Sequence, residues 1–262
     1  MTSARVRIAI RDLSKTYAAG PREVPAVSRV SFDIHEGEFV AIVGPSGCGK
    51  STVLNMIGAL IPPSEGEILV DGRRVGGAPP AGVGYVFQKD TVFPWRTVER
   101  NIALGLEYRG VPAAARAARV REAIALAGLE GFEEAYPATL SGGMRQRVAL
   151  MRSLVVDPEV LLMDEPFGAL DTHTKLGLHA ELLSLWAARR QTVVFVTHDL
   201  SEAITLADRI VVMTRRPGRV KMLYDVKLPR PRDVIRLRES AEYLREYGEV
   251  WHALGEEFEG GA

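Results

Sequence analysis

The glycine-rich segment 44–51 constrains this chain more than any other stretch of its sequence. It reads Gly-Pro-Ser-Gly-Cys-Gly-Lys-Ser and follows the apolar run Phe39–Val43. Glycines let successive backbone N–H groups turn toward one point and form an anion-binding nest. A helix beginning near Gly49 directs its positive end at the same point. Strand, loop, lysine, hydroxyl and helix together predict a phosphate-binding loop, the P-loop, which a chance glycine-rich turn does not explain.

Each P-loop residue has a predicted task toward a nucleoside triphosphate. We expect Lys50 to reach the β- and γ-phosphates. The Ser51 hydroxyl is expected to bind Mg²⁺, with Thr52 behind it. The sequence therefore predicts ATP and Mg²⁺ as ligands, contacted by Gly44, Pro45, Ser46, Gly47, Cys48, Gly49, Lys50, Ser51 and Thr52.

Two carboxylates follow a second apolar run at residues 160–163. Asp164 is predicted to bind Mg²⁺, through water. Glu165 leaves the strand end in another direction and is predicted to orient and deprotonate an attacking water. A solvated strand-end turn is the alternative for an isolated Asp-Glu pair, but the P-loop argues against it. His198 follows the strand predicted at 192–196, and its position favours a γ-phosphate contact over a structural role.

A serine followed by two glycines opens a further helical run. Ser141 is a good helix N-cap, which is its simplest role. Gly142 and Gly143 are costly at a helix start unless the backbone must approach another group closely. A phosphate is the natural group, so the segment 141–143 is predicted to be a second phosphate-binding end.

Composition excludes several classes of protein. Lys plus Arg and Asp plus Glu each number 33, so no net field favours nucleic acid. Cys48 is the single cysteine, which excludes an internal disulfide and fits a reducing compartment. We recognise no signal peptide, and no apolar run approaches the ~18 residues that a spanning helix needs. A role at a membrane would require another chain to supply the membrane part.

The order of apolar patterns predicts an α/β fold. Strands are predicted at residues 8–10, 27–34, 39–43, 67–70, 85–87, 160–163, 192–196, 210–213 and 220–224. Helices are predicted at 49–60, 113–127, 144–156 and 172–190, with an amphipathic helical tail from Pro231 to about 258. We interpret 1–262 as one domain, with a core at about 1–88 and 159–225, a helical subdomain at about 89–158 and a tail at about 226–262.

Residues 5–225 resemble the nucleotide-binding subunit of ATP-binding-cassette (ABC) transporters. The resemblance implies a P-loop NTPase core of RecA type, an N-terminal antiparallel β region and an inserted helical subdomain. It also implies that Tyr17 stacks on adenine, that Gln88 senses Mg²⁺ and the membrane partner, and that Asp171 runs along a dimer interface. In this family the turn 141–143 closes over the ATP of a second copy, so a head-to-tail dimer holding two ATPs is implied.

With the resemblance included, the predicted site has two further sets of residues. The catalytic set is Lys50, Gln88, Glu165 and His198. The metal-binding set is Ser51, Gln88 and Asp164.

Three segments resemble the importer branch that serves nitrate, alkanesulfonates and taurine: 93–106, 164–171 and 198–203. One departure is Lys175, where that branch leads us to expect an arginine nearby. The branch implies integral membrane permease subunits as partners, a solute-binding protein as an indirect one, and a peripheral place on the cytoplasmic face of the cell membrane.

Some alternatives stay open on the sequence alone. A soluble ABC ATPase of iron–sulfur assembly or cell division is the second hypothesis, and a repair or translation ATPase acting on nucleic acid is the third. Phe93 and Trp95 either anchor the membrane partner or pack the helical lobe onto the core. Cys48 is either a reactive thiolate beside Lys50 or an inert small residue.

Overall fold

A six-stranded sheet contains the strands that are followed by the predicted site residues. We describe a computed structural model that covers residues 5–20, 22–168 and 170–259. The strands lie in the order Val220–Asp225 (β10), Arg209–Met213 (β9), Phe39–Val43 (β3), Thr192–Val196 (β8), Val160–Asp164 (β7) and Val83–Val86 (β6). All neighbours pair in parallel except β10, which is antiparallel to β9.

The central strands are buried along their whole length. Every residue of β3, β7 and β8 is buried, as expected for parallel strands covered on both faces. The sequence predicted β3 and β8 with these bounds, and β7 one residue shorter. Parallel pairing brings the carboxyl ends of the three strands to one edge, where the P-loop, Glu165 and His198 follow them.

A four-stranded sheet packs against the first one, in the order Arg22–His35 (β2), Val6–Ala19 (β1), Glu65–Val70 (β4) and Arg73–Arg74 (β5). Its pairings are antiparallel, which confirms the expected β region. The prediction of strands at 8–10 and 27–34 was too short. Repeated register shifts interrupt the β1–β2 pairing, and Asp12 and Arg29 have positive φ values of 46° and 51°. These bulges break the alternation that marks a strand in sequence.

The helices are Lys50–Ile57 (α1), Val98–Tyr108 (α2), Ala113–Leu126 (α3), Gly142–Leu154 (α4), Thr172–Arg189 (α5), Leu200–Leu206 (α6) and Ala241–Glu259 (α7). Helix α1 ends before the predicted Leu60, because Gly58 forms its C-cap and Ala59 turns to a φ of 56°. The tail is not helical throughout. A 3₁₀ turn spans Arg236–Glu239, and α7 begins where the Ser240 hydroxyl accepts the Tyr243 N–H at 3.1 Å.

Two apolar clusters cover the faces of the six-stranded sheet. One lies between the two sheets and includes α1, and the other joins the sheet to α2–α7. Helices α2, α3 and α4 follow one another between β6 and β7, where the helical subdomain is predicted. The division into core, subdomain and tail stays a prediction. Within the described residues, the structure contains no helix with the length and hydropathy of a membrane span.

Candidate nucleotide-binding site

The P-loop connects β3 to α1 through a backbone that only glycine accommodates. Gly49 precedes α1 with a φ of 103°. A Cβ at this position would lie 2.6 Å from Val27 Cγ2 and 2.9 Å from the Ala26 carbonyl oxygen. The glycine therefore serves both the left-handed turn and the close approach of β2 to the loop.

The first residues of α1 point polar atoms into one cleft. Lys50 is buried, and its ammonium donates to the carbonyl oxygens of Gly44 at 2.9 Å and Pro45 at 3.0 Å. The Ser51 hydroxyl donates to Asp164 Oδ1 at 2.7 Å. The Thr52 hydroxyl lies 3.4 Å from the Tyr17 hydroxyl, which brings the predicted adenine-stacking ring to the phosphate end of the cleft.

Three of the predicted catalytic residues meet at one carboxylate oxygen. Glu165 Oε2 accepts a hydrogen bond from the Gln88 amide at 3.1 Å and lies 3.0 Å from His198 Nδ1. Glu165 has a φ of 44°, which is uncommon for a residue with a Cβ. Its backbone N–H donates to the Val196 carbonyl at 2.9 Å, which holds the turn after β7 against β8. Local backbone strain of this kind concentrates at functional sites.

The cleft has a volume of about 560 Å³ and is lined by Tyr17, Ala26, Ser46, Gly47, Gly49, Lys50, Ser51, Thr52, Gln88, Glu165, His198 and Arg216. Ala26 and Arg216 were not predicted. Arg216 is exposed, and its Nε donates to the Pro25 carbonyl at 3.2 Å. No motif marks Arg216 in the sequence, since only the pairing of β9 with β3 brings the β9–β10 turn beside the P-loop.

Four predicted nucleotide-binding residues, Ser141, Gly142, Gly143 and Asp171, do not line this cleft. Ser141 caps α4 by accepting the Met144 N–H at 3.2 Å. Asp171 caps α5 by accepting the Thr174 N–H at 3.1 Å. A contact between these residues and a nucleotide therefore needs a cleft other than that of their own chain.

Gly44, Pro45 and Cys48 belong to the P-loop but do not line the cleft either. The Cys48 side chain is turned inward and is 1% exposed. Burial raises the pKa of the thiol, against the lowering effect of Lys50. The interpretation of Cys48 as a reactive thiolate is therefore wrong, because both access and ionisation are disfavoured.

The residues at the strand edge fit Mg²⁺. Ser51 and Asp164 present a hydroxyl and a carboxylate in direct contact, and hard oxygen ligands are those that Mg²⁺ prefers. Burial raises the pKa of Asp164, the nearby Glu165 raises it further, and the Ser51 hydrogen bond opposes both. A cation would compensate this buried carboxylate. Within the described residues, no group of three or more His, Cys, Asp or Glu side chains is placed to hold a metal ion by itself.

An exposed aromatic loop follows Gln88. The rings of Phe93 and Trp95 stack with centroids 5.2 Å apart, and Trp95 is 71% exposed. Asn101, fully buried on α2, holds this loop. Its Oδ1 accepts the Phe93 N–H at 2.7 Å, and its amide donates to the carbonyls of Phe93, Arg96 and Thr97 at 2.9–3.1 Å. Sequence reasoning gave Asn101 no role, although a polar residue at an apolar helix position was a usable signal.

Lys175, the departure noted in the sequence, is part of a buried polar cluster behind His198. Its ammonium lies 3.0 Å from Glu202 Oε1, and Glu202 is 2% exposed. The other Glu202 oxygen accepts the Thr197 hydroxyl at 2.7 Å. A lysine at this position therefore ties α5 to the segment that carries His198.

The sequence model of the ABC transporter family matches residues 27–168 of this chain. An uncharacterised ABC transporter ATP-binding protein of Methanocaldococcus jannaschii is 46% identical over 97% of this chain and 93% of its own length. An aliphatic sulfonates import ATP-binding protein of Bacillus cereus is 44% identical, over 86% of this chain and 88% of its own. A taurine import ATP-binding protein of Rhizobium johnstonii is 49% identical, over 80% and 79%.

A solved structure shares the fold. It is a dimeric ATP-binding cassette in a post-hydrolysis state with ADP and phosphate, and it superposes with a TM-score of 0.77 at 34% identity. The match covers 85% of this chain and 100% of that one. The fold and the site thus define a P-loop ATPase. The chain belongs to the ABC transporter family, as an ATP-binding cassette subunit of the kind found in its sulfonate and taurine relatives.

Proposed function

We propose that this chain hydrolyses ATP, with Mg²⁺, to energise uptake of a small anionic solute of the nitrate, sulfonate or taurine class through a separate membrane permease. Its relatives named for sulfonate and taurine import support the importer branch and the class of solute. The chain works as a peripheral subunit on the cytoplasmic face of the cell membrane. A solute-binding protein delivers the solute to the permease and does not contact this chain.

The hydrolysis step uses the groups that meet at Glu165. Water attacks the γ-phosphorus while the bond to the β–γ bridging oxygen breaks, and ADP leaves. Glu165 orients the water and takes its proton, while Gln88 and His198 fix that carboxylate at 3.1 Å and 3.0 Å. Lys50 offsets the phosphate charge. Ser51 and Asp164, with Gln88 nearby, would hold Mg²⁺, which would further neutralise the charge on the phosphate oxygens.

Two copies complete each site in this proposal. Ser141, Gly142 and Gly143 of one copy close over ATP in the cleft of the other, with Asp171 along the interface. Helix α4 begins at Gly142, so its free N–H groups and positive end suit a phosphate. The similar solved cassette is dimeric and contains ADP and phosphate, which supports this arrangement.

The observation that carries the transport role is the short path from the chemistry to an exposed aromatic surface. Gln88 donates to Glu165 in the cleft, and the same segment continues directly to Trp95, which is 71% exposed. Buried Asn101 holds the loop between them to α2. Rigid aromatic side chains of this kind dominate protein interfaces, so we assign Phe93 and Trp95 to the contact with a cytoplasmic helix of the permease.

The test is copurification of the tagged subunit from membranes of its own cells, comparing Trp95→Ala with Tyr108→Ala. Tyr108 is also an exposed aromatic, at 86%, and lies at the far end of α2. The wild type and the Tyr108 variant should retain a polytopic membrane protein that stimulates their ATPase activity. Trp95→Ala should lose the partner and the stimulation while its isolated ATPase rate stays unchanged.

A subunit that copurifies with no membrane protein, or a Trp95 variant that assembles and is stimulated normally, contradicts the coupling. The solute class is tested separately, by measuring binding of taurine, an alkanesulfonate and nitrate to the associated solute-binding protein. Binding of none of these three anions contradicts the assigned class and leaves the ATPase role intact.

A further inference from the structure

Helix α7 of the tail reaches the nucleotide-binding edge of the sheet. A cavity of about 280 Å³ lies between this helix and the strand ends, lined by Val43, Gly44, His198, Asp199, Leu200, Tyr247, Trp251 and Leu254. His198 also lines the nucleotide cleft, so the two cavities share a wall. The tail helix therefore lies beside the part of the surface that contains Gly44 of the P-loop and His198.

One face of α7 is already used by the fold and another is not. Tyr243, Val250 and Leu254 are buried against the core. Leu244 is 61% exposed and Trp251 is 51% exposed, at a spacing of seven residues that places them on one stripe. Tyr247 lies between them, and its ring stacks on Trp251 at 6.0 Å and 15°. The stripe of Leu244, Tyr247 and Trp251 is thus an ordered apolar surface.

Two glycines beside the stripe face open space in the part of the chain that the structure describes. Gly248 and Gly255 lie inside α7, and a Cβ on either would meet no atom of the described residues within 4 Å. Glycine in a helix interior costs about 1 kcal/mol relative to alanine. Each is one helical turn from Leu244 or Trp251, so together they leave room for another backbone to approach the stripe.

We propose that this stripe is part of the dimer interface and that a second copy of this chain covers it when ATP closes the dimer. The inference rests on the head-to-tail dimer of the proposed function. Because the turn 141–143 does not line its own cleft, the copy that supplies it must approach the open side of that cleft. Tyr247 and Trp251 line the cavity that shares His198 with the cleft, so this part of the α7 stripe lies next to the surface that the second copy approaches.

The charges around the stripe argue against a lipid surface as its occupant. Among the described side chains of α7, the exposed charged groups are the carboxylates of Glu242, Glu249 and Glu256 and the guanidinium of Arg245, so the surface of this helix is mainly acidic. An anionic membrane surface selects clusters of basic residues instead. Trp251 supplies the kind of aromatic anchor that carries most of the binding energy at interfaces.

The test measures dimerisation in ATP and Mg²⁺ by analytical ultracentrifugation, in a Glu165→Gln background that slows hydrolysis. Trp251→Ala should weaken dimerisation by about tenfold or more, as expected for an interface anchor. Tyr108→Ala is the matched exposed-aromatic control and should dimerise like its parent. ATP affinity at concentrations where the protein is monomeric should be the same in all three proteins.

A second variant and a second readout keep the inference testable if Trp251→Ala misfolds. Leu244→Glu changes an exposed side chain and should weaken the dimer with the monomer fold unchanged by circular dichroism. In a Trp95→Phe background, acrylamide should quench Trp251 less after ATP is added, since Trp186 is only 3% exposed and contributes little.

The α7 interface is contradicted if the variants at Trp251 and Leu244 dimerise like the control. It is also contradicted if acrylamide quenches Trp251 equally before and after the dimer forms. In both cases the ATP dimer itself is unaffected. If Glu165→Gln itself stays monomeric in ATP, the dimer of the proposed function fails and the α7 interface fails with it. The two failures are therefore distinguishable.

Discussion

His179 is a fully buried histidine beside Glu202, and we expect it to make the stability of the fold depend on pH. Its ring packs edge-on against Phe167 at 4.7 Å, and Nε2 lies 4.0 Å from Glu202 Oε1. Burial, followed by the positive charges of Arg238 and Lys175, lowers its pKa from 6.5 to about 4 against a smaller opposing effect of Asp199. In the unfolded chain His179 therefore gains a proton near pH 6.5, whereas in the folded chain it stays neutral down to about pH 4.

The lowered pKa of His179 determines whether stability rises or falls with pH. The neutral ring contributes stability above pH 6.5, and this contribution is lost as the pH falls toward 4. The loss should reach about 2 kcal/mol between pH 7 and pH 5. Burial raises the pKa of Glu202, so this carboxyl contributes stability as the pH falls, opposite to His179. The pH dependence of the wild-type stability therefore combines the two contributions.

Comparison of variants isolates the histidine. Urea unfolding at pH 7 and pH 5 should show a smaller drop for His179→Leu than for the wild type, by about 2 kcal/mol. His252→Leu changes an exposed histidine on α7 and should keep the wild-type drop. An equal drop in all three proteins would show that His179 does not control this pH dependence.

At the scale of elements, the P-loop is supported from behind by the turn between β9 and β10. Gly218 exchanges backbone hydrogen bonds with β2, donating to Ala26 and accepting from Ser28, each at 2.9 Å. A Cβ on Gly218 would lie 2.0 Å from the Cys48 carbonyl oxygen and 2.8 Å from Met213 Cε. The turn thus fixes the position of the loop that binds phosphates.

Gly218→Ala should displace the P-loop, since a carbonyl 2.0 Å away cannot be accommodated in place. We expect a loss of about 1–3 kcal/mol in the free energy of unfolding and a clear fall in ATP affinity. Gly76→Ala is the control, because a Cβ there meets no atom within 4 Å. Calorimetric titration with ATP and urea unfolding measure both effects, and a Gly218 variant that binds ATP like the control contradicts the account of the support.

The elements that sequence predicted well are those whose signal is local. Strands β3 and β8 were predicted to the residue, because burial on both faces leaves continuous apolar runs. Strand β1 was predicted at a fraction of its length, since bulges hide its period. The two residues of β5 carry no pattern at all.

The site residues likewise divide into those with a local sequence signal and those placed only by the tertiary fold. The P-loop, Asp164, Glu165 and His198 follow strands with strong local signals, and the structure places them at one edge. Arg216 and Gly218 reach the P-loop only through the pairing of β9 with β3 and the bonds to β2, which no short motif records. The inward turn of the Cys48 thiol is likewise a tertiary property.

At the scale of the whole molecule, the proposed function needs two chains to complete each nucleotide site. Ser141 and Asp171 begin helices whose first turns do not line the cleft of their own chain. The exposed loop at Trp95 supplies no lining residue of the cleft and none of the cavity beside α7. We therefore expect the permease to bind without competing with the nucleotide or the second copy.

The central claim is that the cleft binds ATP and that Glu165 activates the attacking water. Single-turnover release of phosphate from radiolabelled ATP tests it most directly, with ATP binding measured on the same samples. Glu165→Gln should bind ATP normally and release phosphate at least about 100-fold more slowly, because the amide keeps the shape but cannot take the proton. Glu122→Gln, an exposed change on α3, should match the wild type. Release of phosphate by Glu165→Gln at the wild-type rate would contradict the account.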